Sequence, residues 1–228
     1  MNVEAIIFDL DATLVNLGGF VNWKEGQERV IAAYLECGCN TELVNRCREK
    51  GLFDMLNVMW DELYASLPRE KAEHIQDRAY CALDDCESRG ADLCHLMPGC
   101  TEALEWLRQR NVKMAIATSN STVVVERILV RQGLRNYFAV VVGRTPKLRM
   151  KPHPDQVITC FKMLGADPRR GAVVGDSPRD VKAAKAAGAY SIAVPASFTR
   201  RKTLEEAGVD KIIESLKELP DVIASLEL

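Results

Sequence analysis

The sequence predicts an α/β fold: a Rossmann-like parallel sheet with helices on both faces, interrupted by an all-helical unit. Three observations carry this. Short apolar runs that suit buried strands alternate with stretches of helical spacing from Val112 to near the C-terminal end. The N-terminal run Glu4–Leu10 is a further buried strand, and it ends in acidic residues. Between that strand and Pro98-Gly99 no convincing strand appears. The expected division is residues 1–16 plus 96–228 for the α/β core and 17–95 for a helical cap domain. An insertion of that kind is tolerated when its two ends leave the core close together.

Each element follows from local pattern. After Glu4–Leu10, Gly18-Gly19 signals a turn. Val30, Ile31, Tyr34 and Leu35 recur at helical spacing. Thr41 is suited to cap a short helix that Gly51 ends. Leu52, Met55, Leu56, Met59, Leu63 and Leu67 continue the periodicity. Pro68 suits a first helical residue and Gly90 a stop. A helix around Thr101–Arg110 then leads to strand Val112–Thr118. Helix Thr122–Gln132, strand Ala139–Val142, helix Pro154–Leu164 and strand Gly171–Ser177 follow. Helix Pro178–Ala187, strand Ser191–Pro195 and a short strand Lys211–Ile213 complete the alternation, which implies parallel strands joined by crossovers.

Composition narrows the function. Of the 228 residues, 47% are apolar and 27% charged, which is a soluble globular balance with enough chain for a real core. Net charge is −2 with no basic stripe, so neither nucleic acid nor an anionic membrane is an expected partner. The N-terminal apolar run is short and broken by Asp9 and Asp11, which argues against a signal peptide or a spanning helix. A cytoplasmic location follows as an expectation, and the eight cysteines then default to free thiols. Their spacings lack the paired C-x-x-C units of a zinc site.

Four polar sites fall just past strand ends or before helices, where open α/β sheets bind ligands. Asp9 and Asp11 stand two apart in extended chain and so face one side. Two such carboxylates ask for a hard cation or a shared proton, unless they are ordinary solvated acids at a strand end. Thr118, Ser119 and Asn120 at a strand-to-helix turn suit an anion site; helix capping by Ser121 or Thr122 is the plainer account. Lys151, fixed by Pro152 and Pro154, is a good point charge for phosphate, or else one exposed lysine in a basic loop with Arg144, Lys147 and Arg149. Asp176 ends an apolar strand expected beside the first one, which would bring it near Asp9. Asp180 falls in the first turn of the next helix, where the helix dipole favours an acid.

Taken in order, Asp9-x-Asp11-x-Thr13, Thr118, Lys151-Pro152 and Gly175-Asp176 with Asp180 resemble the four motifs of the haloacid dehalogenase superfamily. The helical insertion resembles that superfamily's first-position cap, and Ala183–Tyr190 is similar to the phosphoglycolate phosphatase-like branch. The resemblance implies a magnesium-dependent phosphatase acting on a small phosphorylated metabolite, as a monomer or homodimer. It implies that Asp9 is the nucleophile that becomes phosphorylated and Asp11 the general acid and base. Thr118, Ser119, Asn120 and Lys151 would hold the phosphoryl group. Magnesium would lie on Asp9, Asp11 (through its backbone carbonyl) and Asp176, with Thr13 and Asp180 in support. The family's first motif usually has glycine where this chain has Ala12, which matters only if the backbone there needs positive φ.

Alternatives remain within and outside the family. A dehalogenase would lack an acid at Asp11. A sugar phosphomutase would carry a histidine soon after the first motif, and residues 14–30 have none. A phosphonate hydrolase would need a Schiff-base lysine, for which Lys24 has the wrong context. A phospho-accepting receiver domain would carry its nucleophile on a middle strand and have no cap.

Overall fold

The computed structural model describes residues 3–196 and 199–226. Six parallel strands form one sheet: β1 (Ala5–Phe8), β2 (Lys113–Ser121), β3 (Val140–Arg144), β4 (Gly171–Gly175), β5 (Tyr190–Ala193) and β6 (Lys211–Ile212). Their spatial order is β3-β2-β1-β4-β5-β6. Strand β1 is fully enclosed, which is why its sequence is the unbroken run AIIF. Its last residue, Phe8, lies level with Ile116 of β2 and Val174 of β4. That register brings the chain just past three strands to one edge, and the Asp9 N–H extends the ladder to Val174 O at 2.8 Å.

Ten helices connect and flank the strands. Four lie between β1 and β2: α1 (Trp23–Glu36), α2 (Thr41–Arg48), α3 (Leu52–Ser66) and α4 (Arg69–Ala91). The rest are α5 (Cys100–Gln109), α6 (Thr122–Arg131), α7 (Asp155–Leu164), α8 (Pro178–Ala187), α9 (Arg201–Glu206) and α10 (Leu219–Leu226). None is long and apolar enough to cross a membrane among the described residues.

Two apolar cores sandwich the sheet. One contains Ile7, Ala115, Val157, Phe161 and Val173. The other is larger and continuous from Ile6, Phe8, Leu104 and Ile128 into Tyr34, Met55, Leu56 and Leu83 of the insertion. The insertion is therefore packed on the core through shared apolar burial, the dominant favourable term in folding.

Local chemistry differs from expectation at three points. Asn40, not Thr41, caps α2, because its Oδ1 accepts the Leu43 N–H at 2.9 Å. Gly90 does not stop α4, which runs on to Ala91. It is glycine for space: a Cβ there would sit 2.8 Å from Val21 Cγ2 and 3.2 Å from Phe20 O. Helices α9 and α10 were not anticipated, since both are short.

A buried ion pair ties α4 to the sheet. Glu87 is completely enclosed and accepts from Arg144 Nη1 at 2.9 Å and Nη2 at 3.0 Å. It also accepts from Asn120 Nδ2 at 3.0 Å and from the Ser121 N–H at 3.1 Å. Arg144, the last residue of β3, gives further bonds to Ser119 O at 2.9 Å and Asp84 Oδ1 at 2.7 Å. Arg144 is thus a buried clamp, not part of an exposed basic loop. A two-pronged guanidinium–carboxylate contact with additional donors is the arrangement that can offset the desolvation of both ions.

Removing one partner strands the other. Glu87→Ala is expected to lower unfolding free energy by about 3–5 kcal/mol in urea titrations. Replacing both residues together, Glu87→Leu with Arg144→Met, should cost distinctly less. A loss below about 1 kcal/mol for the single change would show that the clamp holds nothing.

Candidate active site

The three strand ends around β1 open into a cavity of about 440 Å³ between sheet and insertion. Asp9, Asp11, Thr118, Ser119, Asn120, Lys151, Asp176 and Asp180 all line it. Of the expected site residues, only Thr13 does not; its hydroxyl is buried beneath, without a hydrogen-bond partner in the structure.

Lys151 is the charge centre. It is buried, its Nζ lies 2.8 Å from Asp9 Oδ1, and it also bonds Asp180 Oδ1. Asp180 is fixed from the other side by Ser177, whose N–H and hydroxyl donate to Oδ2 at 3.1 and 2.6 Å. That is a capping box at the start of α8, so the same carboxylate caps a helix and orients the lysine. Burial alone would push Asp180 up, but Lys151 and Ser177 hold it below its ordinary value. Lys151 is raised: burial works against its charge, and Asp180 and Asp9 outweigh burial.

Asp176 has no such cation of its own. Burial, then Asp180 and Asp9, push it up to about 8. Carboxylate oxygens of Asp9, Asp176 and Asp180 lie within 4.8 Å of one another. Four acids, counting Asp11, face one ammonium, and a hard divalent cation with oxygen ligands is the species that fits such a donor set.

Asp11 stands apart from that trio. Its Oδ1 accepts the Gly18 N–H at 2.7 Å, and a Cβ on Gly18 would lie 2.7 Å from its other oxygen. Burial is the main cause that raises Asp11 to about 6; the Gly18 N–H opposes it and Asp9 adds to it. The turn that delivers Asp11 runs through Ala12, whose N–H bonds Val15 O at 2.7 Å. Ala12 has φ of 60°, the left-handed region, so the condition that makes glycine matter there is met.

In its second half β2 departs from its ladder with β3, between Ala117 and Ser121. Gln156 of α7 covers the gap, donating to Thr118 O at 2.7 Å and Gly143 O at 2.9 Å. The Thr118 hydroxyl donates to Asn120 Oδ1 at 3.0 Å. Asn120 spends its amide on Thr118 and Glu87, so its side chain braces the loop. Ser121 makes no side-chain cap on α6; its N–H goes to Glu87 instead.

Sequence reasoning missed Glu87, Trp23, Leu52, Phe53 and Arg179, the last four of which line the cavity. Glu87 left one trace: an acid on the stripe of α4 that Leu83 and Ala91 mark as buried.

A profile of the family described as haloacid dehalogenase-like hydrolase matches residues 6–194. The chain belongs to that family. It is 26% identical to a phosphoglycolate phosphatase of Chromobacterium violaceum over 97% of both chains. It is 23% identical to the pyrophosphatase PpaX of Bacillus mycoides over 99% of both. The crystal structure of a putative β-phosphoglucomutase from Thermotoga maritima superposes with TM-score 0.65 and 27% identity, covering 98% of this chain and 100% of that one. Some matches are partial: the chain spans about half the length, 53%, of the Pseudomonas putida phosphoglycolate phosphatase.

Left-handed alanine costs about 1–2 kcal/mol, part of which glycine gives back through a freer unfolded chain. Ala12→Gly is therefore expected to raise stability by up to about 1 kcal/mol, read as a higher denaturation midpoint. A lower midpoint would mean that the methyl group holds the Asp11 turn.

Proposed function

We propose that the chain is a magnesium-dependent phosphatase that hydrolyses small phosphate monoesters through a phosphorylated Asp9. One observation supports this above the rest: a buried carboxylate at the mouth of the central strand, 2.8 Å from a buried ammonium, with a second acid beside it.

Asp9 Oδ attacks phosphorus, and the P–O bond to the leaving group breaks. Asp11 gives its proton to the departing oxygen. A water then attacks the aspartyl phosphate and passes a proton to Asp11, which frees phosphate and restores both acids. Raised to about 6, Asp11 holds and releases a proton near neutral pH. Lys151, Ser119 and the Thr118 hydroxyl, which must turn from Asn120 Oδ1 to donate here, are assigned to the phosphoryl oxygens, because transfer of this group needs positioning and charge neutralisation above all. Asp180 keeps Lys151 in place. Asp9, the Asp11 carbonyl and Asp176 would hold magnesium, which supplies neutralisation of phosphoryl charge when bound.

Residues 17–95 are assigned as a cap over a core of 1–16 plus 96–228. Asn57 Nδ2 donates to Lys151 O at 3.1 Å and Trp60 Nε1 to Pro146 O at 3.0 Å, contacts suited to a closed cap. Glu87 lies where α4 returns to the core, so the clamp would serve as pivot while those contacts open.

The direct test is release of inorganic phosphate from acetyl phosphate over many turnovers, abolished by chelation and restored by magnesium. Self-labelling without turnover would point to a receiver domain instead. Asp9→Asn should lose at least about 10³-fold in kcat with an unchanged circular dichroism spectrum. Asp11→Asn should give a burst of alcohol from an activated aryl ester, then slow turnover with trapped phospho-enzyme.

Metal binding should also depend on pH. With Asp176 raised to about 8, the metal-free site keeps a proton at pH 7 that the cation must displace. Apparent magnesium affinity should therefore strengthen as pH rises toward 8 and level off above it. Calorimetry in buffers of different ionisation enthalpy should record proton release near pH 7. An affinity flat from pH 6 to pH 8 would contradict the raised Asp176.

A further inference from the structure

The cavity has two ends of opposite character. At the sheet end, Lys151 and the carboxylates offer charge. At the other end the insertion contributes Gly18, Trp23, Leu52 and Phe53, none with a free hydrogen-bonding side chain. The one polar atom among them, Trp23 Nε1, is spent on Gly18 O at 3.2 Å. The Trp23 and Phe53 rings meet edge to face with centroids 5.5 Å apart. Arg179 of α8 completes this end, its guanidinium carbon 5.1 Å from the Phe53 ring centroid. It has no ion-pair or hydrogen-bond partner among the described residues.

This composition selects among leaving groups. A sugar, a small hydroxy acid or a second phosphate carries several groups that must exchange water for protein donors. Against Trp23, Leu52 and Phe53 a sugar hydroxyl would find none; Arg179 offers five N–H donors and could grip one carboxylate or phosphate, so an anionic leaving group competes for this end and is set against the ring in the test below. A flat ring loses nothing there. It can pack against both aromatic side chains in the offset or edge-on geometries that rings prefer. It also extends the cation–ring contact that Arg179 already makes with Phe53. The cavity, about 440 Å³, is within the range of sites that enclose small organic ligands.

We propose that the preferred substrates are phosphate esters of aromatic alcohols, with the ring held by Trp23 and Phe53 and the phosphate at Asp9 and Lys151. This rests on the phosphatase reading above and narrows it.

Non-hydrolysable phosphonates test it without turnover. With magnesium present, benzylphosphonate should bind the full-length protein at least about tenfold more tightly than methylphosphonate in titration calorimetry. It should also outbind methylenediphosphonate and 3-phosphonopropionate, which imitate pyrophosphate and a phosphorylated hydroxy acid. Phe53→Ala should bring the benzyl-to-methyl ratio toward one. Phe53→Leu keeps apolar bulk and guards against misfolding, and it should reduce the ratio as well. Equal affinities in the wild type overturn the proposal, as does a ratio that neither variant moves or tighter binding of either anionic mimic. If methylphosphonate binds without a benzyl preference, only the aromatic proposal falls. If no phosphonate binds at all, the phosphatase reading falls with it.

Discussion

The constraint on which this structure turns is crowded negative charge. Asp9, Asp11, Asp176 and Asp180 are gathered at the edge of one sheet, where water is mostly excluded. Burial raises the proton affinity of carboxylates so placed and their neighbours raise it further, as at Asp176. Lys151 reduces the problem without removing it, because one ammonium is shared between Asp9 and Asp180. What remains is a standing demand for cationic charge at Asp176. Such a donor set fits a divalent cation with oxygen ligands.

That charge cluster has to be held by something stiff, and the surroundings explain how. The ladder fixes Asp9 through Val174, a capping box fixes Asp180, and Gln156 closes the gap behind Thr118. The end of β2 is then braced from the insertion, by Glu87 reaching Asn120 and Ser121. The insertion therefore does more than cover the cavity. One of its carboxylates is part of the frame on which Asn120 and Ser121 stand. Because both ions of the clamp are enclosed, separating them would leave two buried charges unpaired, so the contacts of Asn57 and Trp60 are the cheaper ones to break.

The sheet and most of the site were legible in the sequence because parallel strands are buried on both faces. AIIF, MAIA and GAVVG leave a pattern that no solvated segment imitates, and the polar residues that end them stand out. Asp9 and Asp176 were found that way, Lys151 through the prolines that follow it and Asp180 through its place in the first turn of a helix. Residues that act across the chain were not. Glu87 and Arg144 are 57 positions apart, and each taken alone looks like an ordinary surface charge. Gly90 looked like a helix stop because its tight packing against Val21 is invisible in one dimension. Asn120 was read as a ligand of phosphate, whereas its amide is engaged by partners that only the fold supplies. Trp23 and Phe53 carried no signal in one dimension, and they became a cavity wall only once α1 and α3 were set over the strand ends.

Gly18 joins the two ends of the cavity. Its N–H holds the carboxylate of Asp11, and its carbonyl holds the indole of Trp23. A side chain there would displace Asp11, since a Cβ would lie 2.7 Å from its carboxylate oxygen. The acid assigned to the leaving oxygen and the ring assigned to the leaving group are thus fixed on a single residue at the start of the insertion. A shift of that short turn would move both together. Proton donation and leaving-group contact are then coupled by geometry: a leaving group that seats well against Trp23 also meets Asp11 at a fixed distance. One that seats poorly loses alignment with the acid as well as contact with the wall. Selectivity arising at such a site should be expressed in the chemical step and not only in binding, because misplacement of the departing oxygen relative to its proton donor raises the barrier itself.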